Sequence, residues 1–162
     1  MTYNRAKLES ELVRDEGERF AVYRCTAGKL TIGVGRNLDD VGIRPIEVKT
    51  HGLSVKGCIA RGITREQSRA MLANDIDACA EDLDRRLPWW RQLNDVRQRV
   101  LLNMAFNLGI KGLLGFKNTL ALVERGDFAG ASRGMAASKW HGQVGNRAVR
   151  LEAMMLSGKE PA

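Results

Sequence analysis

The sequence predicts an α+β fold: a small N-terminal sheet lobe joined by a long helix to a C-terminal helical lobe. Three observations predict it. A β-rich stretch broken by glycines, FAVYRCTAGKLTIGVG, is confined to residues 20–35. An amphipathic segment with its own start and stop signals runs from Thr64 to Leu87. Beyond it the apolar residues recur at helical spacing in segments separated by glycines. The expected organisation is one domain, with residues 17–62 as the sheet lobe, 64–87 as the connecting helix, and 94–162 together with 1–16 as the helical lobe.

Each element has a local reason. Leu8, Leu12 and Val13 place one apolar face on a helix from Ala6 to Glu16, and Gly17 can close it as a left-handed cap. Val, Ile, Thr, Tyr and Phe dominate the next stretch, and Ala27-Gly28 interrupts it, which reads as a hairpin. Gly33 and Gly35 mark a strand that another group approaches closely. From Asn37 to Gly62 the periodicity is weak, so irregular structure with a third strand is expected. Thr64 and Gln67 then form a capping box, and Leu72, Ile76, Cys79, Leu83 and Leu87 keep one apolar face until Pro88 ends the helix. A second helix starts near Asn94 and runs through VLLNMAFNLG to Gly109 with apolar residues on all sides, the pattern of a helix enclosed by others. Shorter helices follow at 118–125, 128–138 and 145–156, separated by Gly126 and an HGQVG turn.

Composition excludes several classes. At 44% apolar and 28% charged, the 162 residues suit a folded domain that buries roughly 70% of its unfolded surface and needs no disulfide staples. Lys and Arg number 26 against 19 Asp and Glu, a net charge of +7 that favours an anionic partner. The basic residues never form a run, and aromatic content is 6%, so the interleaved basic and aromatic face of a nucleic-acid binder is missing. Cys25, Cys58 and Cys79 are an odd count without paired spacing, which suits a reducing compartment, and with only His51 and His141 beside them there is no close ligand pair of the kind a zinc site uses. No metal or cofactor is implied. The charged N-terminus holds neither a signal peptide core nor a membrane anchor.

The residues that carry chemistry lie at the junction of the first helix and the hairpin. Glu16 ends that helix, at its junction with the hairpin, and a carboxyl so placed is the candidate general acid. Taken alone it reads more readily as one solvated acid among Asp15, Glu16 and Glu18. The pattern E-G-x5-Y-x-C-x2-G-x2-T-I-G-x-G from Glu16 to Gly35, with NMAFNLG at 103–109, GFKNT at 115–119 and SKW followed by NRA at 138–148, resembles the T4-type phage lysozymes along nearly the whole chain. That resemblance implies the lysozyme fold and hydrolysis of the β-1,4 bond between N-acetylmuramic acid and N-acetylglucosamine in peptidoglycan.

The family spaces a catalytic Glu, Asp and Thr as Glu16, Cys25 and Thr31 are spaced here, so a thiol stands where the aspartate is expected. By resemblance Glu16 protonates the leaving oxygen, Thr31 helps hold the water, and Arg147 supports the glutamate. Cys25 would serve as base toward water, inverting the anomeric centre, or as nucleophile, retaining it; its bland reading is a small hairpin hydrophobe. The same resemblance points to Asn37 or Leu38, Phe106, Asn107 and Thr119 as saccharide contacts, while Gly134 stands where a polar contact is usual. Phe106 also reads as core. Trp89, Trp90 and Trp140 read as core, and Arg36 with Asp75 as an ion pair linking the lobes.

The resemblance further implies a monomeric endolysin that accumulates in the host cytoplasm, does not insert stably in a membrane, and depends on a separate holin-type protein to reach the wall. Two other readings remain at this stage. A lytic transglycosylase also needs a single glutamate, and a peptidoglycan-binding protein of the same fold needs no catalysis.

Overall fold

The chain forms nine α-helices and one three-stranded sheet among residues 2–161, which the structure, a computed structural model, describes. The helices are α1 Arg5–Glu16, α2 Pro45–His51, α3 Val55–Arg61, α4 Arg65–Arg86, α5 Asp95–Leu114, α6 Lys117–Glu124, α7 Phe128–Ala136, α8 Lys139–Val144 and α9 Asn146–Ser157. The strands are β1 Arg19–Arg24, β2 Leu30–Gly33 and β3 Arg36–Asn37, antiparallel in that order. Two units share α1 and α4: residues 9–77 form one, and residues 2–8 with 78–161 the other. The α+β class expected from the sequence is the class observed.

In the unit formed by 9–77, β1 turns back into β2 with Tyr23 opposite Thr31 and Arg24 opposite Leu30, and β3 adds Asn37 opposite Thr31. Ile32, Leu38, Leu53, Cys58, Ile63 and Met71 make its core, with Val22, Leu30 and Ile43 packed against them. Irregular structure expected over 37–62 is corrected here, because α2 and α3 occupy much of it. Pro45 opens α2 with its φ already set for a helix, and the Ser54 hydroxyl accepts the Gly57 N–H at 3.0 Å to start α3. Seven-residue helices are too short for apolar periodicity to stand out, so only their caps announced them.

The Thr64 capping box is present in both directions: the Thr64 N–H donates to Gln67 Oε1 at 2.9 Å and the Gln67 N–H to Thr64 Oγ1 at 3.1 Å. Arg36, expected to pair with Asp75 across two lobes, instead binds it within this one unit. Its Nε and Nη2 donate to Asp75 at 3.0 and 2.9 Å, and Nη1 and Nη2 each donate to Glu47 at 2.7 Å. Glu47 also accepts from Asn74 at 2.9 Å, and Arg44 joins Asp75 at 2.8 Å. Burial works against the Arg36 charge, but the bonds from Glu47 and Asp75 outweigh it and raise the Arg36 pKa above its ordinary value. This network ties β3 to α2 and α4.

The other unit is built around α5, where residues 98–105 are buried without a break, as an enclosed helix requires. Gly109 leaves helical geometry at φ 73°, so the regular part ends where the sequence indicated. Helix α9 packs on α5, α7 and α8, and α6 packs on α7. The segment expected as an HGQVG turn is mostly α8, because the Ser138 hydroxyl caps it at the His141 N–H, 3.3 Å away. Trp90 is fully buried and donates its indole N–H to Asp84 at 2.7 Å, as a core residue beyond a helix end.

Candidate active site

Glu16 occupies the last position of α1, and Gly17 turns the chain at φ 75° into β1. The Glu16 side chain is half-buried and lies against Gly35: a Cβ there would come within 2.7 Å of Glu16 Oε2. Gly35 has φ 67°, a left-handed backbone that suits glycine. The second glycine of the TIGVG run therefore forms a surface on which the carboxyl rests.

Cys25 follows β1 at the hairpin turn, half-buried, with its N–H donating to the Lys29 carbonyl at 3.0 Å. Its thiol is held below the ordinary cysteine value. The Lys29 backbone amide contributes most, partial desolvation opposes it, and the Ala27 amide and Thr31 hydroxyl add to the lowering. Thr31 is buried on β2, its hydroxyl beside the Cys25 sulfur and 2.9 Å from the Lys29 carbonyl, so that its single proton is given to the carbonyl beside a neutral thiol and to the sulfur beside a thiolate. A donor-rich turn of this kind stabilises a thiolate.

Tyr23 received no role from the sequence although it lies within the motif. Burial pushes its phenol upward, the Glu16 and Cys25 charges add to this, and Arg19, stacked 4.5 Å from the ring centre, opposes it. One side chain thus feels both groups of interest. Alternation along β1 would have placed Tyr23 and Cys25 on one side of the strand.

Four of the expected saccharide residues are occupied in ways the sequence did not show. Leu38 is 4% exposed and belongs to the core, so its side chain is corrected to a packing role. Asn37 organises its own loop, accepting the Asp39 and Asp40 N–H groups at 2.9 and 2.8 Å and donating to the Asp40 carboxylate. Asn107 accepts the Trp140 indole N–H at 2.8 Å, and Trp140 is buried edge-on against Phe116. Thr119 is buried beneath Gly134, where a Cβ would meet its Oγ1 at 2.5 Å. A side chain at 134 would collide with Thr119, which accounts for the glycine. Phe106 is half-buried on α5, and Arg147 is buried, with Nε donating to Asn103 at 2.8 Å. Phe106, Asn107, Thr119 and Arg147 belong to the helical unit, and Glu16, Cys25, Thr31, Asn37 and Leu38 to residues 9–77. No group of metal-ligating side chains occurs among the described residues.

The phage lysozyme profile matches residues 13–154, which include every one of these positions. The chain belongs to the phage lysozyme family. A probable T4-type lysozyme of Dictyostelium discoideum is 26% identical over 162 residues, covering 94% of this chain and 95% of its own. A pre-baseplate central spike protein of Enterobacteria phage T4 is 31% identical over 156 residues, covering 91% of this chain but 27% of that protein. Membership in this family makes the chain a lysozyme-type glycosidase.

Proposed function

We propose that this phage lysozyme cleaves the β-1,4 bond between N-acetylmuramic acid and N-acetylglucosamine in bacterial peptidoglycan, with Glu16 as general acid and Cys25 as base toward water. The observation that carries the reading is the Cys25–Thr31 pair, a thiol of lowered pKa beside a buried hydroxyl on the hairpin that follows Glu16. The Glu16 carboxyl gives its proton to the leaving glycosidic oxygen as that bond to the anomeric carbon breaks. Water, held by Thr31, forms the new bond from the other face and gives its proton to the Cys25 thiolate. Solvent then restores both groups. This sequence inverts the anomeric centre. General acid catalysis of this kind contributes about 10²–10⁴-fold. Of the saccharide contacts that the resemblance implies, half-buried Phe106 is the side chain left with exposed surface for one, while Asn107 and Thr119 are engaged with Trp140 and Gly134.

The net positive charge supports retention on an acidic wall. It falls entirely in residues 1–8 and 78–162, where basic residues outnumber acidic ones 15 to 8, while residues 9–77 carry 11 of each. No helix among the described residues is long and apolar enough to cross a membrane. We infer an endolysin role, monomeric, in which a separate membrane-opening protein admits the enzyme to the wall from the host cytoplasm. Purified peptidoglycan tests the reaction. Release of reducing ends is expected; anhydro ends would indicate a transglycosylase, and binding without new ends a non-catalytic module. The product anomer, read by NMR, tests the Cys25 role: a retained anomer with a thioglycosyl adduct would replace base by nucleophile.

A further inference from the structure

The β1–β2 hairpin that carries Cys25 and Thr31 is fastened on one side by the loop that follows β3. Leu30 stands opposite Arg24, next to the bond from the Cys25 N–H to the Lys29 carbonyl, so its own N–H and carbonyl point away from β1. The carbonyl accepts the Leu38 N–H at 2.8 Å, continuing the ladder that pairs Thr31 with Asn37. The Leu30 N–H donates instead to a side chain, Asp39 Oδ2 at 2.9 Å. A carboxylate thus takes the place of a backbone partner just beyond Asn37, where β3 stops.

Asp39 is itself held in place. Asn37 Oδ1 accepts the Asp39 and Asp40 N–H groups at 2.9 and 2.8 Å, and Leu38, between Asn37 and Asp39, is buried in the core with Leu30 packed against that core. The same carboxylate lies 3.8 Å from Arg24, whose Nη1 donates to the Gly28 carbonyl at 2.9 Å, so Asp39 reaches both sides of the turn. Lys29 adds a second tie to the loop, Nζ to Asp40 Oδ1 at 3.2 Å. The two residues that flank Leu30 are those that surround the thiol. The Lys29 carbonyl accepts the Cys25 N–H and its amide faces the sulfur, while the Thr31 hydroxyl lies beside that sulfur. A hydrogen bond to an ionised acceptor is roughly twice as strong as a neutral one, so the Asp39 contact is a firm fixed point for this end of β2.

We propose that Asp39 is a positioning residue for Cys25: its carboxylate, set by the Asn37 loop, fixes Leu30 and with it the Lys29 and Thr31 groups that surround the thiol. Its effect on turnover rests on the proposed role of Cys25 as base, whereas its effect on the thiol does not. Hydrogen bonding and the plain charge of Asp39 act in opposite directions. A nearby carboxylate charge disfavours a thiolate, while donors held on the sulfur favour it.

The test follows alkylation of Cys25 by iodoacetamide against pH in wild type, Asp39→Asn and Asp39→Ala, read by mass spectrometry of the Cys25 peptide, with Tm recorded for each. Both variants remove the same charge and leave Tyr23, Arg24, Lys29 and Asp40 in place, so the difference between them isolates the hydrogen bond. Asparagine keeps an oxygen for the Leu30 N–H, and alanine has none. Asp39→Ala is expected to titrate at higher pH than Asp39→Asn and to react about threefold more slowly at pH 7, because the donors are no longer held on the sulfur. On soluble peptidoglycan fragments its kcat is expected to fall by about the same factor, with KM changed less than about twofold. Coincident alkylation profiles for the two variants, or a lower midpoint in Asp39→Ala, overturn the proposal. Should Asp39→Ala fail to fold, Asp39→Val, similar in shape to aspartate and without an acceptor, is judged by the same criteria. Cys25→Ala that cuts peptidoglycan at the wild-type rate refutes the base role alone, and the alkylation profiles still decide the positioning role.

Discussion

Replacing Gly35 by alanine separates backbone strain from displacement of the acid. An L-residue in the left-handed region costs about 1–2 kcal/mol, and Gly35 sits at φ 67°. For a domain of this length that lowers Tm by roughly 2–8 °C. The added methyl would lie 2.7 Å from Glu16 Oε2. Carbon–oxygen contacts settle near 3.3–3.6 Å, so the carboxyl must retreat by roughly 0.6–0.9 Å. A misplacement of about 1 Å costs on the order of a hundredfold in rate, so kcat should fall by roughly tens-fold to a hundredfold. Gly52→Ala is the control: it has φ 62° and nothing within 4 Å of the new Cβ, so it carries the same strain without touching Glu16. The assay is thermal unfolding beside reducing-end release from purified peptidoglycan. Two variants of equal Tm loss and very unequal activity are expected. Wild-type turnover in Gly35→Ala, or equal loss of turnover in Gly52→Ala, would refute the reasoning.

Three further outcomes follow from the charges and thiols. Iodoacetamide at neutral pH should modify Cys25 before Cys58, since donors in the hairpin turn lower the Cys25 thiol while burial raises Cys58, and mass spectrometry of partly labelled protein reads the order. Glu47→Gln should destabilise by about 3–5 kcal/mol in urea unfolding, because it weakens the partner of a buried Arg36; a loss below about 1 kcal/mol would show the network to be dispensable. Arg69 at Glu18, Arg91 at Asp84 and Lys7 at Glu160 each hold a carboxyl below its ordinary value, so in acid the unfolded chain binds more protons than the native one. Their contribution is full above the ordinary carboxylate pKa of about 4 and is lost as the pH falls through the lowered native values. Tm measured from pH 6 downward should therefore fall with acid, and a flat profile would contradict this.

Much of the architecture is legible in the sequence because its signals are local. The Thr64–Gln67 capping box, the hairpin break at Gly28 and the helix break at Gly109 each declare themselves within a few residues. Helices α2 and α3 are not legible by periodicity, because seven residues complete barely two turns. The candidate site divides in the same way. Glu16, Cys25 and Thr31 are readable from spacing, whereas the Arg36 cluster with Glu47 and Arg44, the Ser68–Arg69 grip on Glu18, and the seating of Glu16 on Gly35 join residues up to fifty-one positions apart. Leu38 shows the opposite failure: a position matched by motif whose side chain the core has taken.

The most direct measurement is the release of reducing ends from purified peptidoglycan by wild type and Glu16→Gln, with circular dichroism confirming that both are folded. Glutamine keeps the size of the side chain and its seat on Gly35 but has no proton to give the leaving oxygen. Loss of about 10²–10⁴-fold in rate, with binding to the wall retained, is the result expected of a general acid. A folded Glu16→Gln variant that cuts peptidoglycan at the wild-type rate would contradict it.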